Sequence, residues 1–176
     1  MDYYSLTIGK ITRKLPLVTI GKSLKVASFN LLGDRELVEE IAPLMLDKLK
    51  DLKFDYLVGP EVKVVPLLHE LAGKLGQSRY IVCRKNIHGY MVAPVKSGIK
   101  DGLVLNGLDA ELIKGKRVVV VDDVVSSGNT LEIMDDLVKK AGGEVVCHLA
   151  IIKQGDAPLK TSGKVIFLGK LPVFTS

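Results

Sequence analysis

Residues 118–130 read Val-Val-Val-Val-Asp-Asp-Val-Val-Ser-Ser-Gly-Asn-Thr. The valine run predicts a strand buried on both faces, as in a parallel sheet covered by helices. It delivers two carboxylates, Asp122 and Asp123, to a short loop of small residues, Ser126, Ser127, Gly128 and Asn129, which enters a helix at Thr130. Such a loop has a definite chemistry. Its amides, the hydroxyls of Ser126, Ser127 and Thr130, and the helix dipole all favour one phosphate. Gly128 removes a side chain where backbone and phosphate must approach closely. The two aspartates repel that phosphate and need another partner, for which the hydroxyls of a sugar are suited. Phosphate on the loop and hydroxyls on the acids together describe a ribose phosphate.

The elements that must position this segment alternate. Asp34 caps a predicted helix reaching about Lys50, with Leu37, Ile41, Leu44, Met45 and Leu49 on one face. Pro43 lies inside it, and an interior proline costs roughly 3 kcal/mol, so a kink or restart is expected there. Asp55–Gly59 reads as a short buried strand, and Val64–Leu75 as a helix with Pro66 in its first turn. Arg79–Arg84 is a further strand. Lys85–Lys100 is polar and without period, and is expected to be a mobile loop; Gly102–Asn106 reads as a short edge strand. After the valine strand, the helix entered at Thr130 runs to about Ala141. It carries Leu131, Met134, Leu137 and Val138 on one side, Lys139 and Lys140 at its end, and Gly142-Gly143 as its stop. Glu144–Ile152 and Lys164–Leu168 complete the strands. The alternation predicts an α/β fold with a doubly wound, mainly parallel sheet flanked by helices. Ligands of such sheets sit at the carboxyl ends of the strands, where Asp122–Thr130 falls.

The segment 118–130 resembles the PRPP-binding motif of the type I phosphoribosyltransferase family, where PRPP is phosphoribosyl diphosphate. The family pattern of apolar strand, two acids, two apolar residues and small-small-Gly-x-Thr is matched in full. The resemblance implies that Asp122 and Asp123 hold the ribose hydroxyls and that Ser126, Ser127, Gly128, Asn129 and Thr130 hold the 5′-phosphate. Gly59-Pro60-Glu61-Val62-Lys63 is similar to the diphosphate loop of the adenine phosphoribosyltransferases, and Arg84-Lys85 to the Arg-Lys pair opening that family's flexible loop. Glu61, Lys63, Arg84 and Lys85 would then form the diphosphate side. Lys63 stands for the family's arginine and loses its bidentate fork, and Val62 and Val64 replace Ala and Gly. The flexible-loop segment Asn86–Pro94 contains no acid, where the adenine enzymes carry a glutamate. Ser126 holds the position of the aspartate general base of the 6-oxopurine enzymes, which points away from the hypoxanthine-guanine class. The resemblance covers roughly residues 30–152 and implies a purine transferase, adenine-like, that joins a free nucleobase to PRPP. It further implies Mg²⁺ held mainly by PRPP with no direct protein site, closure of loop 86–100 over the substrate, a homodimer, and a small hood. That hood is built from about residues 1–33 and the C-terminal segment of a single domain spanning 1–176. Phe29 is a candidate for packing on the base, or a core anchor. No residue is assigned a catalytic role. The acid-free loop leaves a second reading, a regulator of the same fold that senses PRPP or a nucleotide.

Other features exclude classes. Gly21-Lys22-Ser23 ends like a nucleoside-triphosphate loop, but Pro16 stands where the motif needs its first glycine. This also counts against a nucleotide-dependent phosphotransferase. His69 and His148 fall inside elements and read as structural, Asp135-Asp136 as the wet face of a helix, and His88 as a loop histidine able to act as acid or base. Cys83 and Cys147 lie far apart in apolar runs and form no CxxC pair. Free thiols and the absence of a signal pattern lead to an expected cytoplasmic, membrane-free protein. The net charge of +5 is spread along the chain, the solvated basic surface of a protein that captures small polyanions rather than nucleic acid.

Overall fold

The computed structural model describes residues 2–21, 23–161 and 163–175. Lys22, the centre of the rejected Gly21-Lys22-Ser23 motif, is outside the described residues, as are Ser162 and the two ends of the expected 1–176 span, Met1 and Ser176. In chain order the strands β1 (Tyr3–Ile8), β2 (Ile11–Ile20) and β3 (Leu24–Ala27) precede α1 (Arg35–Leu49), β4 (Tyr56–Pro60), α2 (Val65–Lys74) and β5 (Ile81–Cys83). Next come β6 (Val95–Lys96), β7 (Val104–Leu105), α3 (Gly107–Ile113), β8 (Arg117–Val125) and α4 (Asn129–Lys140). The chain closes with β9 (Glu144–Gln154), β10 (Val165–Leu171) and β11 (Val173–Thr175).

The central sheet has the order β10-β9-β8-β4-β5, and every pairing in it is parallel. Its two faces are covered separately. Val119 and Val121 pack with Leu37, Ile41, Met45 and Leu71 of α1 and α2. Val118 and Val120 pack with Ile113, Leu131, Met134 and Leu137 of α3 and α4. The unbroken valine run is thus explained: successive side chains enter opposite cores, and both are dry. A second sheet, antiparallel and ordered β1-β2-β3-β11, joins the two ends of the chain into the hood. Arg13 on β2 ties it to α1, reaching Asp34 at 2.7 and 2.9 Å and Glu36 at 2.6 Å. Among the described residues no helix is long and apolar enough to cross a membrane.

The structure departs from sequence expectation in particulars. α1 runs unbroken through Pro43. Proline removes one backbone hydrogen bond, and burial of Ile41, Ala42 and Met45 around it offsets that loss. Asp34 does cap this helix, accepting from Leu37 N at 3.1 Å. Leu44, assigned to the apolar face, is exposed, and Val38 and Ala42 are buried instead. The strand expected at Gly102–Asn106 is not an edge of the central sheet. It shrinks to β7 and pairs with β6, a strand inside the stretch expected to be loop. The expected strand Arg79–Arg84 is regular only over Ile81–Cys83, with Arg84 continuing as a single bridge to Val104. β8 runs four residues beyond its predicted end at Val121, because β9 keeps pairing with it as far as Val125 opposite Lys153. α3 has no counterpart in the sequence reading.

Candidate functional site

In the order β10-β9-β8-β4-β5 the chain proceeds from β4 outward to β5, then returns to the other side of β4 and proceeds outward through β8, β9 and β10. Strand order therefore reverses between β4 and β8, and a crevice opens at their carboxyl ends. The last rung joining the two strands is Val58 with Val120. Past it, β8 has no partner on that side, and Asp122 and Asp123 stand in the gap.

A cavity of about 1350 Å³ fills this crevice. Asp122, Asp123 and Thr130 line one side, Glu61 and Lys63 the exit of β4, and Lys85, Lys96 and Lys100 the rest of the rim. A second cavity of about 220 Å³ is enclosed by Ser126 to Leu131 and shares Asp122 and Thr130 with the first. The small chamber is walled by loop backbone and hydroxyls; the large one carries the carboxylates and then the cations.

Asp122 and Asp123 are both buried, at 5% and 8% exposure. Asp122 accepts a hydrogen bond from Asp123 N at 2.9 Å. Burial, and then the neighbouring Asp123 charge, push the Asp122 carboxyl up to about 8. Asp123 Oδ2 has no hydrogen-bond partner, and Lys63 Nζ at 3.9 Å is an ion pair too long to be one. A buried, unpaired carboxylate oxygen at a cavity wall is a group awaiting a donor.

The loop is fixed from behind. Gly128 takes the left-handed conformation at φ 85° and is the N-cap of α4. A side chain there would stand 2.8 Å from the Lys160 amide nitrogen. Lys160 N in turn donates to Ser127 O at 2.9 Å. Gly128 is thus required by the fold as well as by any ligand. Beneath the loop lies Lys153, 6% exposed, donating to the carbonyls of Ser126 (2.8 Å), Gln154 and Gly155 (3.2 Å each). Burial pushes its ammonium pKa down. Sequence reasoning did not single it out, although a lone charge ending the apolar run Leu149-Ala150-Ile151-Ile152 was a signal.

The remaining candidates separate. Lys63 and Lys85 line the large cavity; Arg84 does not. Its guanidinium pairs with Glu61, whose second oxygen accepts from Lys85 N at 2.6 Å. Burial would push the Glu61 carboxyl up, but those bonds outweigh it and hold Glu61 below the usual range. Phe29 is buried in the core with Leu31 and Leu37, and the cavity lining does not include it. His148 is buried and bonded to Asp135 at 2.7 Å, in keeping with a structural role. Asp135 and Asp136 are not a solvated face. Asp135 also accepts from Thr161 at 3.1 Å, and Asp136 accepts from Ser97 Oγ and Gly98 N, both at 2.7 Å. The far limb of the 85–100 stretch is thereby anchored to α4, contrary to the expectation of a wholly mobile loop. Among the described residues, no three acids, histidines or cysteines gather into a metal cage. Asp122 and Asp123 are hard oxygen donors, a set that fits Mg²⁺ only with oxygens added by a ligand.

Comparison with known proteins bears on this geometry. The phosphoribosyl transferase domain matches residues 30–174. An adenine phosphoribosyltransferase from Thermosipho africanus is 31% identical over 70% of this chain and 73% of its own. A hypoxanthine/guanine phosphoribosyltransferase from Methanotorris igneus is 30% identical over 78% and 77%. Among solved structures, adenine phosphoribosyltransferase from Thermoanaerobacter pseudethanolicus superimposes with a TM-score of 0.66 at 25% identity, covering 80% of this chain and 84% of that one.

Proposed function

The chain belongs to the phosphoribosyl transferase domain family, and from that premise we propose that it is a purine phosphoribosyltransferase acting at the β4–β8 crevice. A nitrogen of the free base bonds to C1′ of PRPP as the bond from C1′ to the diphosphate oxygen breaks and the base loses its ring N–H proton to diphosphate or water, giving a nucleoside monophosphate and diphosphate. The observation that carries this reading is the adjoining pair of cavities, one lined by Ser126–Leu131 and the other by Asp122, Asp123 and several lysines, with Asp122 and Thr130 common to both.

Each region has a role in that reaction. Ser126, Ser127, Gly128, Asn129 and Thr130 take the 5′-phosphate with loop amides, hydroxyls and the α4 N-terminus. Asp122 and Asp123 take the ribose 2′- and 3′-hydroxyls, and the unpaired Asp123 oxygen gains its donor. The pair stands beside the ribose as C1′ becomes cationic, and whatever negative charge it carries there favours the transition state. Lys63 and Lys85, at the opposite rim, meet the diphosphate as its charge grows. PRPP oxygens beside Asp122 and Asp123 would hold Mg²⁺, which would supply further neutralisation of the leaving group. Closure over the cavity by the part of the 85–100 stretch that Asp136 does not anchor would keep water from C1′. The relatives act on adenine and on hypoxanthine or guanine by name, so all three bases belong in the test. A homodimer is the assembly that the family resemblance implies.

Incubation with PRPP, Mg²⁺ and a mixture of adenine, hypoxanthine, guanine, xanthine, uracil and orotate, read by mass spectrometry, is the test. A purine nucleoside monophosphate is expected, and it disappears in the Asp122→Asn/Asp123→Asn variant. A pyrimidine nucleotide, or no nucleotide despite PRPP binding, would remove the purine transferase reading.

A further inference from the structure

Arg84 leaves its strand beside the cation-rimmed side of the cavity, and each of its three guanidinium nitrogens already has a protein partner. Nε binds Glu61, one terminal nitrogen donates to Tyr90 Oη at 2.9 Å, and the other meets His88 Nε2 at 3.2 Å. A guanidinium only donates, so His88 Nε2 must accept and the ring proton must sit on Nδ1. The same imidazole stacks on the Tyr90 ring, with centroids 5.4 Å apart and planes within 6°. Glu61 completes the assembly by binding the Lys85 backbone with its other oxygen. One ion pair therefore laces the turn after β4 to the first turn after β5, and Lys63 and Lys85 are the neighbours left facing the cavity.

A free carboxylate at Glu61 would repel a diphosphate, and a free Arg84 would attract one. Each is paired with the other, Glu61 on the cavity wall and Arg84 outside the lining. We propose that Glu61 and Arg84 are positioning residues and not diphosphate ligands: with His88 and Tyr90 they form a brace that fixes the Lys85 backbone and aims Lys85 at the diphosphate. The ligand named here rests on the transferase reading above; the brace rests on the geometry alone.

Two measurements test it. The first is calorimetric titration of inorganic diphosphate at several salt concentrations, with wild type, Lys63→Ala, the charge-neutral double variant Glu61→Gln/Arg84→Gln, and Arg84→Lys. Removing net positive charge beside the anion flattens the salt dependence, whereas removing a brace at constant net charge weakens binding without changing the slope. Lys63→Ala is expected to flatten the slope. The double variant is expected to weaken binding roughly tenfold, equivalent to about 1.4 kcal/mol, at wild-type slope. Arg84→Lys keeps the charge and is expected to weaken binding similarly, since one ammonium cannot span three partners. Wild-type affinity in the double variant or in Arg84→Lys would overturn the proposal. The second is the imidazole nitrogen spectrum of His88. An Nδ1-protonated ring is expected in the wild type, and its loss in Arg84→Ala; a spectrum unchanged by that substitution overturns the brace. If wild-type protein fails to bind diphosphate, the transferase reading falls and the His88 spectrum decides the brace by itself.

Discussion

Asp122 bears the heaviest electrostatic cost among the site's carboxylates, and the cost has a measurable sign. Its folded-state pKa of about 8 lies above the ordinary carboxylate value near ~3.9 of an unfolded chain. The folded protein therefore holds this proton more tightly than the unfolded one. Its contribution to stability is full below the unfolded pKa and is lost as pH rises through the folded value. Melting temperatures of the ligand-free protein should fall between about pH 4 and about pH 8, and Asp122→Asn should remove much of that fall. Equal slopes in the two proteins would show that Asp122 ionises without penalty. Lys153 makes the converse case, a buried cation satisfied by three carbonyls. Lys153→Met leaves those carbonyls without their donor and should lower stability by roughly 1–3 kcal/mol, read in a denaturant titration. A more stable variant would mean that desolvating the ammonium costs more than its bonds return.

At the scale of elements, the entry to α4 is the most constrained point. Gly128 combines φ 85° with a Lys160 amide where a side chain would go. Gly128→Ala should cost about 1–2 kcal/mol for the left-handed backbone alone, and it should weaken ribose 5-phosphate binding as the loop shifts; an unchanged affinity would show that the loop adapts. The elements nearest this entry were the legible ones. Four valines announced β8, and Asp34, Pro66 and Gly142 marked helix ends that the structure keeps within a residue or so. Less was visible where order comes from distant partners. β6 and β7 are two-residue strands that exist by pairing with each other. Asp136 looked solvated because Ser97, its partner, lies 39 residues away in the sequence. A sequence shows the charge of Arg84 and not the Glu61, His88 and Tyr90 bonded to it. Lys153 passed unnoticed because the lone charge ending the apolar run Leu149–Ile152 does not say which loop folds over it.

For the molecule as a whole, the parallel sheet and its strand reversal place one crevice between β4 and β8, and the chemistry converges there from separate stretches of chain. The phosphate loop comes from one side of the reversal and the cations Lys63 and Lys85 from the other. The hood, held to α1 through Arg13 and Asp34, is built from both ends of the chain. The most direct test of this arrangement is a titration of isotope-labelled protein with PRPP and Mg²⁺, followed through backbone amide resonances. The largest shifts should fall at Ser126, Ser127, Gly128, Asn129 and Thr130, with Lys63 and Lys85 following, and should vanish in Asp122→Asn/Asp123→Asn. Shifts confined to the hood, or to the separate cavity at Gly76–Arg79 at the far end of the sheet, with the 126–130 amides unmoved, would contradict the assignment of this loop as the phosphate site.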